Sequence, residues 1–291
     1  MLRISTPAMA ANRHFAVVTD STADISRATA EQHGITVVPL NVTIGDETFQ
    51  DGVISQAEFF RRMQAADKLP TTSQPSVGVL AEAYGRALER ADAVIALHVS
   101  SKLSGVVDTA RVAAEQFDGR VHVFDSRNLS WGLGWQVLGA AAAAREGLTV
   151  SHALARLEVA RERVKIVVSI DSLENLRRGG RIGAVASRMG SLLNIKVTIF
   201  VDSTGAFVPL GRARGDKAAL RSLLDWIDTQ MGDAPAGRFA VGHAMSAEKA
   251  ERLAEEIRQR WPVSELVMYE AGTVISTHAG TIWGVAFYPE D

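Results

Sequence analysis

A change of rhythm near Gly147 limits the folds open to this chain: before it, short apolar runs alternate with amphipathic segments, and beyond it apolar runs pair across tight turns. "HFAVVTD" reads as a buried strand, "ISRATAEQHG" as a helix closed by Gly34, and "ITVVPLNVTIGDETF" as a strand that turns at Gly45 and Asp46. Ser55 and Glu58 stand at capping-box spacing in "SQAEFFRRMQAAD". "VGVLAEAYGRALERA" is expected as a helix capped by Ser76, and "AVIALHV" as a buried strand. "VVDTARVAAEQF" follows as a helix with Val106, Ala110, Ala113, Ala114 and Phe117 along one side. "RVHVFDS" and a helix from Trp131 to Glu146 extend the series. Strands that alternate with helices call for a parallel sheet covered on both faces.

Past the helix "SHALARLEVARERV" the pattern differs. "KIVVSID" reads as a strand, "SLENLRRGGRIGAVASRMGSLLN" as a helix broken at Gly179 and Gly180, and "KVTIFVDSTGAFVPLGRAR" as a hairpin turning near Ser203, Thr204 and Gly205. Helices over Asp216–Met231 and Ala247–Arg260, with the strands "RFAVGHA", "ELVMYEAG" and "WGVAFYP", complete it. The expected class is α/β in two domains. Residues 1–13 form a loose leader, 14–150 a parallel-sheet α/β sandwich, and 151–291 an α+β domain with a mixed or antiparallel sheet. "VLGAAAAA" reads as ordinary core and is too short to span a membrane.

Composition removes several function classes. With 31 basic against 33 acidic residues the formal charge is -2, so no overall field draws nucleic acid or an anionic membrane. The absence of cysteine excludes disulfides, thiolate zinc sites and thiol catalysis, and fits a reducing cytoplasm. "MLRISTPAMAANRHF" lacks the apolar core of a signal peptide. No G-x-S-x-G elbow, Walker A loop or H-E-x-x-H pair occurs, and Gly132 and Gly134 in "WGLGWQVLG" miss the dinucleotide spacing. No metal site is expected.

What remains is a pair of uncharged or nearly uncharged hydroxyl loops, each ahead of a helix: "LPTTSQPSVGVL" and "HVSSKLSGVV". Unpaired N–H groups in a helix's first turn favour an anion, and helix dipoles add to this. Thr71, Thr72, Ser73 and Ser104 can donate through hydroxyls, while Gly105 lets the backbone approach a ligand. Together the loops can hold a carboxylate without an arginine. The plain alternative is that these hydroxyls are N-caps; Ser76 fits that role. A cap needs one hydroxyl, and each loop offers at least three. Asp20, with Ser21, Thr22 and Asp24, sits where the first strand meets its helix and either caps that turn or takes a metal or ribose. Arg177, Arg178 and Arg181 cluster around two glycines, as a solvated helix end or as a docking or phosphate-contacting patch. His278 in "THAGTIWG" is structural or faces a ligand. A Ser104–His278–Asp20 triad would need all three brought together by the fold.

Taken in order, "VVTDSTADIS", "VVPLNVTIGDETFQDGVIS", "TTSQPS", "SSKLSG", "LRRGGRIG" and a late "HAG" resemble the DegV family of bacterial fatty-acid-binding proteins, from about Phe15 to the C-terminus. The resemblance implies two α/β domains with a long-chain fatty acid in a buried tunnel, and no chemistry of the chain's own. It places the carboxylate on Thr72 and Ser104, with Ser73, Ser101, Gly105 and His278 as further candidates. It also implies a partner, a fatty acid kinase that converts the bound acid to its acyl phosphate. Arg177, Arg178 and Arg181 would face that partner or the phosphate. Alternatives are a serine-dependent lipid hydrolase or acyltransferase using Ser104, or a lipid-sensing regulatory module. Three positions depart from the usual pattern: Val106 after "LSG", the charged Asp108, and the missing proline in "HAGTIWG".

Overall fold

A computed structural model describes residues 13–182 and 196–290. Among these, β1 (Arg13–Asp20), β2 (Ile35–Val38), β6 (Ala91–His98) and β7 (Val121–Asp125) form a four-stranded sheet in the order β2-β1-β6-β7. Every pairing in it is parallel. The helices α1 (Arg27–His33), α5 (Ser130–Arg145) and α6 (Val150–Arg163) contribute Ala30, Leu133, Val137 and Leu157 to one face, against Phe15, Val17, Ile95 and Leu97. On the other face α3 (Val77–Leu88) and α4 (Val106–Ala114) supply Leu80, Tyr84 and Ala110 against Ala16, Val18, Val94 and Ala96. Successive strand residues go to opposite faces, so both sets must be apolar, which is why these strands read as continuous apolar runs. Ala140, Ala141, Ala143 and Ala144 of "VLGAAAAA" lie in the first of these clusters as core.

The second sheet has six strands, in the order β10-β9-β8-β13-β11-β12, built from β8 (Lys165–Ile170), β9 (Lys196–Val201), β10 (Phe207–Ala213), β11 (Gly237–Ala244), β12 (Val263–Glu270) and β13 (Ile282–Pro289). It is mixed: β11 and β12 run parallel, and the other neighbours antiparallel. The β9–β10 hairpin turns through Gly205, whose φ of 88° suits glycine. Its outer face is covered by α8 (Asp216–Met231) and α9 (Ala247–Arg260) through Leu223, Ile227, Leu253 and Ile257, packed on Val167, Phe239, Val241 and Phe287. The fold is thus α/β with one parallel and one mixed sheet, as the two halves of the sequence imply.

A small third sheet, in the order β4-β3-β5, joins β3 (Asn41–Ile44), β4 (Glu47–Gln50) and β5 (Thr71–Ser73). Here the structure differs from the sequence reading. Pro39 lies between β2 and β3, making them separate strands, and Thr71–Ser73, expected as loop, pairs antiparallel with β3. The turn at Gly45 stands, at φ 60°. Shorter helices include α2 (Gln56–Ala65), capped by Ser55, and α10 (Thr273–Ala279). Only half the capping box forms at α2: Ser55 accepts from Glu58 N at 3.2 Å, while the Glu58 carboxylate turns to Arg61 and Arg62. The segment α7 (Glu174–Arg178) ends before Gly179 and Gly180; the rest of the helix expected there, and the expected leader before Arg13, lie outside the described residues. Among the described residues no helix is long and apolar enough to cross a membrane.

Candidate functional site

The inner face of the second sheet does not pack solidly onto the first. Ile166, Val168 and Ile170 of β8 point the same way, opposite Val167, and together with Ile199, Val201 and Ile282 they line a cavity. Leu40, Val99, Leu129, Val274 and Ile275 close it from the other side. The cavity measures about 100 Å³, several times the roughly 10–15 Å³ that holds one water.

Thr72, Ser104, Arg181 and His278 also line this cavity, although they come from four separate stretches of chain. β5 carries Thr72, whose Oγ1 lies 2.8 Å from His278 Nε2. α10 carries His278. Gly179 fits beneath the ring: a Cβ there would stand 2.6 Å from His278 Nδ1. Burial first, and the Arg181 charge second, push the His278 pKa down from 6.5 to about 4, so the ring is neutral near pH 7. Its Nδ1 is buried and has no hydrogen-bond partner among the described residues. Arg181 is steered to the cavity by two carbonyls, Leu103 O at 3.3 Å and Gly179 O at 2.6 Å.

The two hydroxyl loops meet. Gln74 of the first donates to Thr109 Oγ1 of α4 at 2.6 Å and packs against Gly105. α4 begins after Gly105 with no side-chain cap. Ser104 is therefore not that helix's N-cap, whereas Ser76 does cap α3, accepting from Val79 N at 3.3 Å. Val106 is fully buried in the core. Asp108 is exposed and paired with Arg111.

Other candidates fall elsewhere. The Ser101 hydroxyl donates to Asp125 at 2.6 Å, and Ser73 lies exposed on β5, off the cavity wall. Arg177 and Arg178 both pair with Glu174 on the surface. Asp20 is buried as the cap of the turn Ser21–Ala23, accepting from Thr22 N, Val99 N and His98 Nδ1. The second nitrogen of His98 lies 3.0 Å from the Tyr84 hydroxyl. With Asp20 bound to His98, the Ser104–His278–Asp20 triad is not assembled. No cluster of metal-ligating side chains occurs among the described residues. The sequence reading missed Ser130 and Tyr269, which also line the cavity; they lie far apart in the chain, and neither sits in a recognisable motif.

Fold and site together define an α/β protein of one parallel, one mixed and one small antiparallel sheet, with an apolar cavity whose wall also carries Thr72, Ser104, Arg181 and His278. A family model described as "Uncharacterised protein, DegV family" matches residues 14–290. A DegV domain-containing protein of Deinococcus radiodurans is 37% identical over 94% of this chain and 98% of its own length. A DegV family protein from Thermus thermophilus, whose structure is described for its fatty-acid binding, superposes with a TM-score of 0.91 at 35% identity, covering 95% of this chain and 99% of that one. DegV of Bacillus subtilis, described as a fatty-acid-binding protein, does so with a TM-score of 0.87 at 32% identity, over 96% of this chain and 100% of that one. The chain belongs to the DegV family.

Proposed function

We propose that this protein binds one long-chain fatty acid, with the acyl chain in the cavity and the carboxylate at the Thr72, Ser104 and His278 end. The observation that carries the reading is the composition of the bore. Aliphatic side chains of β8, β9 and β13 make much of its wall, and Thr72 and His278, in contact at 2.8 Å, line it together with Ser104 and Arg181. Each buried methylene contributes ~0.8 kcal/mol, so a sixteen-carbon tail supplies on the order of 10 kcal/mol before ordering costs. The head group then sets orientation. A neutral His278 that keeps its proton on Nε2 donates to Thr72 Oγ1 and leaves the Thr72 O–H free for the acid. Ser104, which caps no helix, donates as a second hydroxyl, beside the amide end of α4 at Gly105. Ser101 and Ser73 are left out of this contact set.

In this reading the protein is a cytoplasmic carrier without catalysis of its own, divided near Val150, that presents the acid to a fatty acid kinase. Arg181, at the mouth, faces the acid or its phosphate, and Arg177 and Arg178 face the partner. The likeness to the Thermus thermophilus and Bacillus subtilis proteins supports the lipid, and the unassembled triad favours a carrier over a hydrolase.

Competitive displacement of a fluorescent fatty acid tests the head group. Each charged hydrogen bond is worth roughly 1.5–3 kcal/mol, so Thr72→Val and Ser104→Ala should each weaken binding of the free acid by about ten- to a hundredfold while barely affecting its methyl ester. Equal affinity for acid and ester in the wild type, or loss of ester turnover in Ser104→Ala, would refute the proposal.

A further inference from the structure

The apolar wall is interrupted a second time. Ser130 and Tyr269 both line the cavity, and the Ser130 Oγ lies 2.8 Å from the Tyr269 hydroxyl. On its other side Ser130 Oγ meets Asp24 Oδ2 at 2.5 Å, and Gly272 N donates to Asp24 Oδ1 at 2.9 Å. Gly272 immediately precedes α10 and His278 sits near the far end of that helix, so about 9 Å of helix separates the trio's backbone partner from the ring. Tyr269 packs on Trp131, with ring centroids 5.8 Å apart, in the cluster of Trp135, Ile166, Val201 and Ala240. The head-group end adjoins Leu176, Ile275 and Ala279. Gly242 makes room for the phenol, because a Cβ at that position would fall on the Tyr269 ring.

The chain of hydroxyls can run in either direction. With Asp24 charged, Ser130 donates to Asp24 and Tyr269 donates to Ser130, which leaves a phenol lone pair for a donor in the cavity. With Asp24 protonated, Asp24 donates to Ser130 and Ser130 to Tyr269, and the phenol O–H is free for an acceptor. Burial foremost, with the nearby Asp51 and Asp20 charges, raises the Asp24 carboxyl to about 8, so both arrangements are populated near neutrality. Beside a plain methylene chain the charged arrangement pairs every hydroxyl proton within the trio, so such a chain is tolerated. A hydroxyl on the chain is both donor and acceptor, and so fits either state.

Resting on the fatty-acid reading above, the geometry points to a second subsite, Ser130 with Tyr269, that recognises a hydroxyl substituent partway along the acyl chain of a bound acid. Nothing in the trio distinguishes head-group chemistry; it reads the position of an oxygen along the tail.

The experiment titrates octadecanoic acid and a set of its mono-hydroxylated isomers, with the hydroxyl moved stepwise along the chain, against wild type and Tyr269→Phe. All isomers share the same cost of desolvating one hydroxyl, so they are compared with each other. One position should stand out by roughly 3–10-fold over its neighbours. Tyr269→Phe should level the series, with octadecanoate still bound within about twofold of wild type. Retained octadecanoate binding shows that the variant is folded. Should Tyr269→Phe fail to fold, Ser130→Ala is read in the same way. A flat series in the wild type, or a peak that survives the substitution, overturns the subsite alone. If octadecanoate itself does not bind the wild type, the fatty-acid reading falls and the subsite with it.

Discussion

His278→Gln isolates the neutral histidine beside Thr72. The ring's pKa is about 4 in the folded protein, against an ordinary 6.5. The unfolded chain therefore takes up this proton first, and unfolding binds a proton between pH 6.5 and 4. Stability from this group is fully present above pH 6.5 and is lost as the pH falls toward 4. At 1.36 kcal/mol per pKa unit the whole window is worth about 3 kcal/mol, of which about 2 kcal/mol falls between pH 7 and 5. Because the ring is only partly buried, solvent screening reduces that to about 1–2 kcal/mol. Asp24, raised to about 8, titrates over the same range with the opposite sign, since its contribution falls as the pH rises. It is common to both proteins, so the difference between wild type and variant cancels it. Urea unfolding of lipid-free protein at pH 5, 6 and 7 should show the wild type losing about 1–2 kcal/mol relative to His278→Gln on acidification. Lipid must be removed because a carboxylate beside the ring would raise its pKa and shrink the effect. A pH-independent difference, or a wild type that gains stability relative to the variant on acidification, would refute the reasoning.

Three further outcomes are expected. Asp20→Ala, which strips a buried acceptor from Thr22, His98 and Val99, should cost on the order of 3–5 kcal/mol in urea unfolding; a loss under about 1 kcal/mol would show the network to be dispensable. Gly179→Ala places a methyl 2.6 Å from His278 Nδ1 and 3.0 Å from Asn175 O, so it should weaken fatty-acid binding by about tenfold while costing roughly 1–3 kcal/mol in stability. Unchanged affinity by displacement titration would argue that the ring's position is irrelevant. Ser76→Ala should cost about 1 kcal/mol as a lost cap with no change in lipid affinity, in contrast to Ser104→Ala; a matching fall in affinity would put Ser76 in the ligand site.

The regular elements were legible because their signals are local. Asp216–Met231 and Ala247–Arg260 end where the amphipathic pattern ends, and Gly34 and Gly205 close their turns with positive φ. Thr71–Ser73 was not legible as a strand, since three polar residues owe their extended form to pairing with Asn41–Thr43, far back in the chain. The candidate site was readable in part: the redundancy of hydroxyls pointed to both loops, and the family resemblance singled out Thr72 and Ser104, but nothing in "THAGTIWG" announces the 2.8 Å contact of His278 with Thr72. The cavity wall was hidden for a different reason. Ile166, Val168 and Ile170 alternate with Val167 and Ser169, and both faces of β8 are largely apolar, so periodicity cannot tell the face that meets helices from the face that meets a void. The Ser130–Tyr269 pair, 139 residues apart, exists only once both sheets are assembled.

Mass spectrometry of the purified protein under native conditions, followed by denaturation and solvent extraction, probes the occupancy of the bore itself. The expected result is a protein heavier than its polypeptide by one long-chain acid, with the excess vanishing on denaturation and the free acid recovered in the extract. A polypeptide mass with no excess, persisting after incubation with free fatty acids, would contradict the account.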